Sequence, residues 1–94
     1  MRASVIIVNY NLKAAVLRCL DSILQSLPPD CEIIVVDNAS SDGSAVAIRA
    51  GFPQVTVLDA PSNGGFGAGC NLGARRASGK FLTFLNPDTT VEKD

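Results

Sequence analysis

Asparagine and aspartate side chains follow three separate apolar runs in this chain. The polar groups are Asn9-Tyr10-Asn11 after residues 4–8, Asp37-Asn38 after residues 33–36, and Asn86-Pro87-Asp88 after residues 81–85. Their oxygens can accept hydrogen bonds from N–H and hydroxyl groups, and carboxylates can also hold Mg²⁺ or Mn²⁺. Parallel strands end at one edge of a sheet, and open α/β sheets bind ligands just beyond that edge. We therefore expect these groups to meet at one binding site.

A helix is predicted between the first two strands. Apolar residues recur at the spacing of one helix face at Val16, Leu20, Ile23, Leu24 and Leu27. Asn11 is expected to cap the start of this helix, and Pro28-Pro29 is expected to end it.

Two further helices and two further strands complete the predicted pattern. They are a helix over 44–50, a strand over 55–58, a helix over 68–78 and a strand over 81–85. Ser41 or Asp42 is expected to cap the second helix. A glycine-rich turn over 63–69 leads into the third helix, whose candidate inward residues are Leu72, Ala74 and Ala77.

The order β-α-β-α-β-α-β with short connections predicts a doubly wound α/β fold. Such connections are right-handed, so the sheet is mostly parallel with helices on both faces, in three α/β/α layers. The expected strand order is 3-2-1-4, which places the switch point between strands one and four. The polar groups after those two strands would then flank the binding crevice.

The composition excludes several classes of function. The 94-residue chain is 47% hydrophobic and 18% charged with a net charge of −1, which suits one globular domain and argues against nucleic-acid binding. It has no His, which removes the commonest general base and the Ser-His and Cys-His nucleophile pairs. Cys19, Cys31 and Cys70 show no metal-site or disulfide spacing, so we expect reduced thiols and a cytoplasmic location.

Each polar group also has a simpler structural explanation. Asp37 either accepts hydrogen bonds from a nucleoside or belongs only to a strand-to-helix turn. The glycine-rich turn either presents amides, with Asn63 or Asn71, to a ligand, or only allows positive φ and close helix packing. It does not fit the dinucleotide fingerprint, which needs G-x-G-x-x-G after the first strand. Asn86-Pro87-Asp88 is either a rigid bracket for metal and phosphate or a capped turn.

Together these motifs resemble the donor-binding half of the family 2 glycosyltransferases, which have the GT-A fold. The matching segments are Ser4-Val5-Ile6-Ile7-Val8-Asn9-Tyr10-Asn11, Val36-Asp37-Asn38-Ala39-Ser40-Ser41-Asp42-Gly43-Ser44, Asn63-Gly64-Gly65-Phe66-Gly67 with Asn71 and Gly73, and Leu85-Asn86-Pro87-Asp88. Within the family the chain is most similar to bacterial rhamnosyltransferase-type members. The resemblance implies transfer of a sugar, with rhamnose one candidate, from a nucleotide-diphosphate sugar to an acceptor hydroxyl.

The resemblance also implies roles for individual residues. Those expected to bind the nucleotide are Val8, Asn9, Tyr10, Asp37, Asn63, Gly65, Asn71 and Asn86. Asp37 is expected to contact the base, and Asn86 the ribose or phosphate. Asp88 stands in the family's metal-binding D-x-D motif and is the expected ligand of Mg²⁺ or Mn²⁺. Asn86 replaces the first Asp of that motif, which leaves the metal requirement open.

The resemblance further implies that residues 1–94 are only the nucleotide-sugar-binding half of a GT-A domain. The acceptor half and its Asp catalytic base would follow Asp94, so the chain should be inactive alone, and the full enzyme would bind a carbohydrate or lipid-linked acceptor. A non-catalytic nucleotide-binding module or a degraded copy is the alternative. A receiver-like signalling domain is disfavoured because Asn9 and Asn11 are not acidic. Self-association through an unpaired sheet edge is expected. A cytoplasmic location is also expected, with the full-length protein bound at the inner face of the membrane as a further possibility.

Overall fold

The structure is a computed structural model that describes residues 2–87. The strands are β1 (Ala3–Asn9), β2 (Cys31–Asp37), β3 (Thr56–Asp59) and β4 (Phe81–Leu85), and the helices are α1 (Lys13–Leu24), α2 (Ser44–Gly51) and α3 (Gly65–Arg76). This is the predicted alternation of strands and helices. The third strand lies one residue later than predicted, and the first two strands extend further at both ends.

The four strands form one parallel sheet in the order β3-β2-β1-β4, which confirms the predicted order. The register sets Asn9 opposite Asp37, Asp37 opposite Asp59, and Ile7 opposite Leu85. Because β1 and β2 end at paired positions, their terminal polar residues reach the same edge. Chain order reverses between β1 and β4, which is the position at which open α/β sheets bind ligands.

The sheet has a separate apolar core on each face, because successive strand residues point to opposite faces. The core against α1 and α2 includes Val5, Ile7, Val16, Cys19, Leu20, Ile23, Ile33, Val35 and Ile48. The core against α3 is formed by Ile6, Val8, Ile34 and Val36, with Cys70, Leu72, Ala74 and Ala77 packed on them. This arrangement confirms the predicted helices on both faces and the inward positions predicted for the third helix.

Helix α3 packs very close to the sheet because its inner face carries glycine. A Cβ at Gly69 would lie 2.6 Å from Cγ1 of Val8, and one at Gly73 would lie 2.5 Å from Cγ2 of Ile6. Packed side chains do not approach this closely, so a larger residue at either position would displace the helix. Close packing therefore accounts for Gly69 in the glycine-rich segment.

Asp42 connects the first turns of α1 and α2. Its Oδ2 accepts a hydrogen bond from the Lys13 amide at 3.0 Å, and its Oδ1 accepts bonds from the Ser44 amide at 3.0 Å and the Ser44 hydroxyl. The Ser44 hydroxyl bond chiefly lowers the pKa of Asp42, and the Lys13 and Ser44 amides lower it further against the opposing effect of burial. Asn11 does not cap α1 as predicted, because its Oδ1 accepts a bond from the Ser41 amide at 2.8 Å instead.

At the amino-terminal edge of the sheet, Glu32 joins the turn before β4 to the first two strands. Its Oε2 accepts hydrogen bonds from Ser4 Oγ at 2.6 Å, the Ser78 amide at 2.6 Å and Ser78 Oγ at 3.1 Å. Ser4 Oγ accepts a further bond from the Gly79 amide at 2.8 Å. Burial raises the pKa of Glu32, but the bonds from Ser4 and Ser78 and the charge of Arg76 outweigh it, so this pKa lies below its usual value.

Strand β4 is the least covered strand of the sheet. Phe81, Leu82 and Phe84 are 66%, 41% and 42% exposed, and within residues 2–87 the strand that pairs with β4 is β1. No other described strand pairs with the outer edge of β4, which lies beside these apolar side chains. Within residues 2–87, no helix has the length and apolar character needed to cross a membrane.

Candidate functional site

Two neighbouring strands end in a buried polar pair. Asn9 and Asp37 are 0% and 4% exposed, and Asn9 Nδ2 donates a hydrogen bond to Asp37 Oδ1 at 3.0 Å. Because a carboxylate accepts hydrogen bonds, Asp37 fixes which end of the Asn9 amide faces it. The other end, Asn9 Oδ1, is buried without a hydrogen-bond partner in the described part of the chain. The structure thus brings these two predicted residues together.

Asp37 also closes the turn that follows β2. Its Oδ2 accepts a hydrogen bond from the Ser40 amide at 3.0 Å. Within this turn Ala39 has a φ of 59°, in the left-handed region that costs a non-glycine residue roughly 1–2 kcal/mol. The Asn38 amide donates to the Asn9 carbonyl at 2.8 Å, which joins the turn to the end of β1. These bonds hold Asn38 at the sheet edge.

The loops after β1 and β2 are joined by reciprocal hydrogen bonds. Ser40 Oγ accepts a bond from the Asn11 amide at 2.9 Å, and the Ser41 amide donates to Asn11 Oδ1 at 2.8 Å. Asn11 is also left-handed, with a φ of 52°. The two loops therefore form one cross-linked unit above the ends of the strands.

Asn38 contacts the glycine-rich turn on the α3 side of the sheet. Its Nδ2 donates hydrogen bonds to Asn63 Oδ1 at 3.3 Å and to the Gly65 carbonyl at 3.1 Å. Asn63 Oδ1 also accepts a bond from the Gly65 amide at 3.0 Å, and Gly65 has a φ of 91° that favours glycine. Helix α3 begins at this residue, three positions before the predicted start. The predicted Asn63 and Gly65 therefore meet at Asn38.

Asn38 is not among the predicted site residues, although the alternation of residues along β2 indicates that it faces α3. Ile34 and Val36 face α3, and Asn38 continues their series, whereas Val35 and Asp37 face α1 and α2. A ligand that lies against the glycine-rich turn would therefore meet Asn38 rather than Asp37.

The remaining predicted residues lie at separate positions. Val8 is buried against α3, and Tyr10 is 46% exposed just beyond β1. Asn71 lies on the exposed surface of α3 beside Arg75. Asn86 is exposed after β4, and its backbone carbonyl accepts a hydrogen bond from Cys19 Sγ at 3.9 Å.

A hollow of about 220 Å³ opens between the glycine-rich turn and α3. Its lining includes Asn38, Ser62, Gly64, Leu72 and Arg75. Amide, hydroxyl and guanidinium groups therefore surround part of an apolar wall, which suits a ligand with both polar and aromatic portions. A cavity of about 320 Å³ at the opposite, amino-terminal edge of the sheet is far from every predicted site residue.

The predicted metal ligand, Asp88, lies outside the described residues. Within residues 2–87, no three His, Cys, Asp or Glu side chains form a group that could hold a metal ion. Asn86 offers only neutral oxygens, whereas a divalent cation is usually held by at least one carboxylate. The described residues do not by themselves form a metal site.

A doubly wound parallel sheet with polar loops beyond its carboxyl edge defines an open α/β ligand-binding domain. The chain belongs to the Glycosyl transferase family 2, which matches residues 4–94. This membership confirms the predicted family, and the solved structures that share its strand arrangement confirm the GT-A type of fold.

Three similar proteins illustrate the family. An uncharacterized glycosyltransferase of Haemophilus influenzae is 38% identical over 85 residues, which cover 90% of this chain and 29% of that protein. The mannosyltransferase PcManGT of Pyrobaculum calidifontis, solved with GDP-Man and Mn²⁺, has a TM-score of 0.86 and 30% identity, and the match covers 93% of this chain and 27% of that one. TarS 1–349 of S. aureus, solved with UDP-GlcNAc, has a TM-score of 0.86 and 28% identity over 94% of this chain and 27% of that one. The chain therefore spans less than a third of each.

Proposed function

We propose that this chain is the donor-binding part of a glycosyltransferase that transfers a sugar from a nucleotide-diphosphate donor to an acceptor hydroxyl. One observation carries the proposal: at the carboxyl ends of the strands, where open α/β sheets bind ligands, Asn38 at the end of β2 is hydrogen-bonded to Asn63 and Gly65. The nucleotide sugars bound by PcManGT and TarS support the same class of ligand here.

The nucleotide is proposed to lie on the α3 side of this edge. The Asn63 side chain and the backbone of Gly65 offer polar groups to the base or ribose. Val8 and the exposed ring of Tyr10 would hold the base from the end of β1. Asn71 and Asn86 would contact the outer parts of the donor, and both side chains are exposed.

A divalent metal remains a proposal for the full site. Mg²⁺ or Mn²⁺ would supply positive charge to the diphosphate, with Asp88 as the protein ligand. The Mn²⁺ in PcManGT supports this proposal. Asp88→Ala should then weaken nucleotide binding in the presence of metal and change little in its absence.

The catalytic base is proposed to lie beyond Asp94. Transfer to a hydroxyl needs a group that removes its proton as the new bond forms. Asp59 is unsuited to this role because it is paired with Arg49 at 2.6 Å beside the edge strand β3. The isolated chain should therefore bind a nucleotide and transfer no sugar.

The donor sugar, the acceptor and the location are finer proposals. Rhamnose is the proposed sugar, a carbohydrate or lipid-linked molecule the acceptor, and cell-wall or polysaccharide biosynthesis the setting, at the cytoplasmic side of the membrane. A panel of nucleotide sugars tested with the complete protein would distinguish rhamnose from mannose and N-acetylglucosamine donors.

A non-catalytic nucleotide-binding module is the second candidate. The neutral Asn86, in place of the acid of the D-x-D motif, favours this alternative. Reading the coding DNA beyond Asp94 separates the two candidates. An open reading frame that continues through an acceptor half supports the enzyme, whereas a stop codon supports the module.

Calorimetric titration tests the proposed binding directly. UDP, dTDP and GDP are titrated into the chain with and without Mg²⁺ or Mn²⁺, and at least one should bind. Titrations without heat at millimolar ligand, confirmed by an unchanged melting temperature, would contradict the proposal.

The open edge of β4 is proposed to cause self-association of the isolated chain. Unpaired strand edges recruit partners, and this one carries exposed Phe81 and Phe84. Analytical ultracentrifugation should show concentration-dependent dimers or larger species. A monomer with a cooperative melt would contradict this expectation.

A further inference from the structure

The carboxylate of Asp37 is engaged within the protein at both oxygens. Asn9 Nδ2 donates to Oδ1 at 3.0 Å, and the Ser40 amide donates to Oδ2 at 3.0 Å. The residue is 4% exposed, and by the alternation of β2 it lies on the same face as Val35, which packs in the core against α1 and α2. Asp37 and the glycine-rich turn are therefore on opposite faces of the sheet.

The turn that Asp37 closes carries Asn38 to the other side of the sheet. The bond from the Ser40 amide spans Ala39, whose φ of 59° is unfavourable for alanine without such support. Asn38 precedes Ala39 in this turn and donates to Asn63 Oδ1 and the Gly65 carbonyl. The bond between Asp37 and Ser40 therefore supports the turn that carries Asn38.

Asn9 turns its amide nitrogen toward Asp37 and its amide oxygen away from it. Asn9 Oδ1 is buried without a partner in the described part of the chain, which is normally unfavourable for a polar atom. Nδ2 faces Asp37 Oδ1 and lies 3.4 Å from Ser40 Oγ. Asn9 therefore holds the carboxylate and the turn together.

We infer that Asp37 is a positioning residue, which acts on a bound nucleotide through the turn it closes, and that Asn9 fixes the orientation of Asp37. This inference rests on the proposed function because nucleotide affinity is its main readout. It replaces the direct contact between Asp37 and the base that the family resemblance implies. Asn38, which lines the hollow beside the glycine-rich turn, is then the residue through which this turn affects the nucleotide.

The variant Asp37→Asn separates the two roles. The introduced amide can accept the Ser40 bond through its oxygen and direct its nitrogen toward Asn9. The Asn9 side chain can then turn its amide and present Oδ1, the acceptor that has no partner among the described residues. The variant keeps the hydrogen bonds of the turn and removes the negative charge. Nucleotide affinity should therefore be kept if Asp37 positions the turn, and lost if its charge contacts the ligand directly.

The experiment compares Asp37→Asn, Asp37→Ala, Asn9→Ala and the double alanine variant by titration with UDP, dTDP and GDP. A loss of about tenfold in affinity is expected for each alanine variant, with no further loss in the double variant because the two residues act as one unit. Asp37→Asn should stay within about threefold of the natural protein, as expected when hydrogen bonds are exchanged without loss. Asp59→Asn is the matched control, since Asp59 lies opposite Asp37 in the sheet but is exposed.

Two results would overturn the inference. One is an Asp37→Asn variant that is folded yet binds as weakly as Asp37→Ala, and the other is an Asn9→Ala variant with unchanged affinity. If the natural protein binds none of the three nucleotides, the proposed function fails. Urea unfolding of the same variants then still tests whether Asp37 and Asn9 act as one unit. Midpoint losses for Asp37→Ala and Asn9→Ala that add up in the double variant would refute the coupling.

Discussion

The two edges of the sheet are held together in different ways. At the amino-terminal edge, one Glu32 oxygen receives three hydrogen bonds, and the turn it holds has ordinary backbone angles. At the carboxyl-terminal edge lie the described residues with positive φ, which are Asn11, Ala39, Gly43 and Gly65. Asn9 Oδ1, a buried acceptor that has no partner within residues 2–87, lies there as well.

This difference suggests that one edge serves the stability of the fold and the other serves ligand binding. Strained backbone and unsatisfied polar atoms persist where a structure is shaped for a ligand rather than for its own stability. The amino-terminal edge should therefore contribute to stability alone, and the carboxyl-terminal edge should affect ligand affinity.

Glu32→Ala should cause the largest loss of stability without changing ligand affinity. It leaves Ser4 Oγ and the Ser78 amide without their acceptor, at a cost of about 2–3 kcal/mol in the free energy of unfolding. Urea unfolding measures this cost, and nucleotide titration checks the affinity. Asp21→Ala, on the exposed face of α1, is the control and should be nearly neutral. A folded Glu32→Ala protein with weakened nucleotide binding would contradict the assignment of the amino-terminal edge to stability alone.

Asp42→Ala should lose about 1–2 kcal/mol of stability, because one carboxylate caps the first turns of both α1 and α2. Asp59→Ala is the matched control, since its pair with Arg49 is exposed and worth less than about 1 kcal/mol. Thermal and urea unfolding of both variants measure the difference. Equal losses in the two variants would show that Asp42 does not serve both helices.

Ala39→Gly should stabilise the protein by about 0.5–1 kcal/mol. Glycine removes the left-handed strain at this position, and the gain exceeds the added entropy of the unfolded chain. Ala14→Gly within α1 is the control and should destabilise by about 1 kcal/mol. A destabilised Ala39→Gly variant would mean that the turn after β2 is not strained.

The smallest effect is expected in the pH dependence of unfolding. The pKa values of Glu32 and Asp42 are lowered by folding, so their contribution is complete above their unfolded pKa values, about 4. It is lost as the pH falls through the lower folded-state pKa values. Urea midpoints should therefore decline more steeply between pH 5 and pH 3, roughly, for the natural protein than for Glu32→Gln. Parallel pH profiles would contradict the assignment.

Much of the fold could be predicted because the apolar runs are long and regular. Residues 4–8 and 33–36 have no competing helical pattern, and short connections leave few topologies. Helix starts were less predictable: Asn11 bonds the Ser41 amide rather than capping α1, since the bond depends on a loop distant in sequence.

The site could be predicted at the level of the sheet edge and less well at the level of side chains. The sequence predicts that Asp37 and Asn9 share one edge of the sheet, but it does not predict the hydrogen bond between their side chains. Asn38 belongs to the α3 face and contacts Asn63 only because α3 packs so closely through its glycines. Such contacts depend on the distance between layers, which local sequence does not show.

An NMR titration would show at which edge of the sheet a nucleotide binds. UDP, dTDP and GDP are added to isotope-labelled protein while the backbone amide signals are followed. The account predicts shifts at Asn38, Ser40 and Gly65, with Ser78 and Gly79 unchanged. Shifts confined to the amino-terminal edge, or none at millimolar nucleotide, would contradict it.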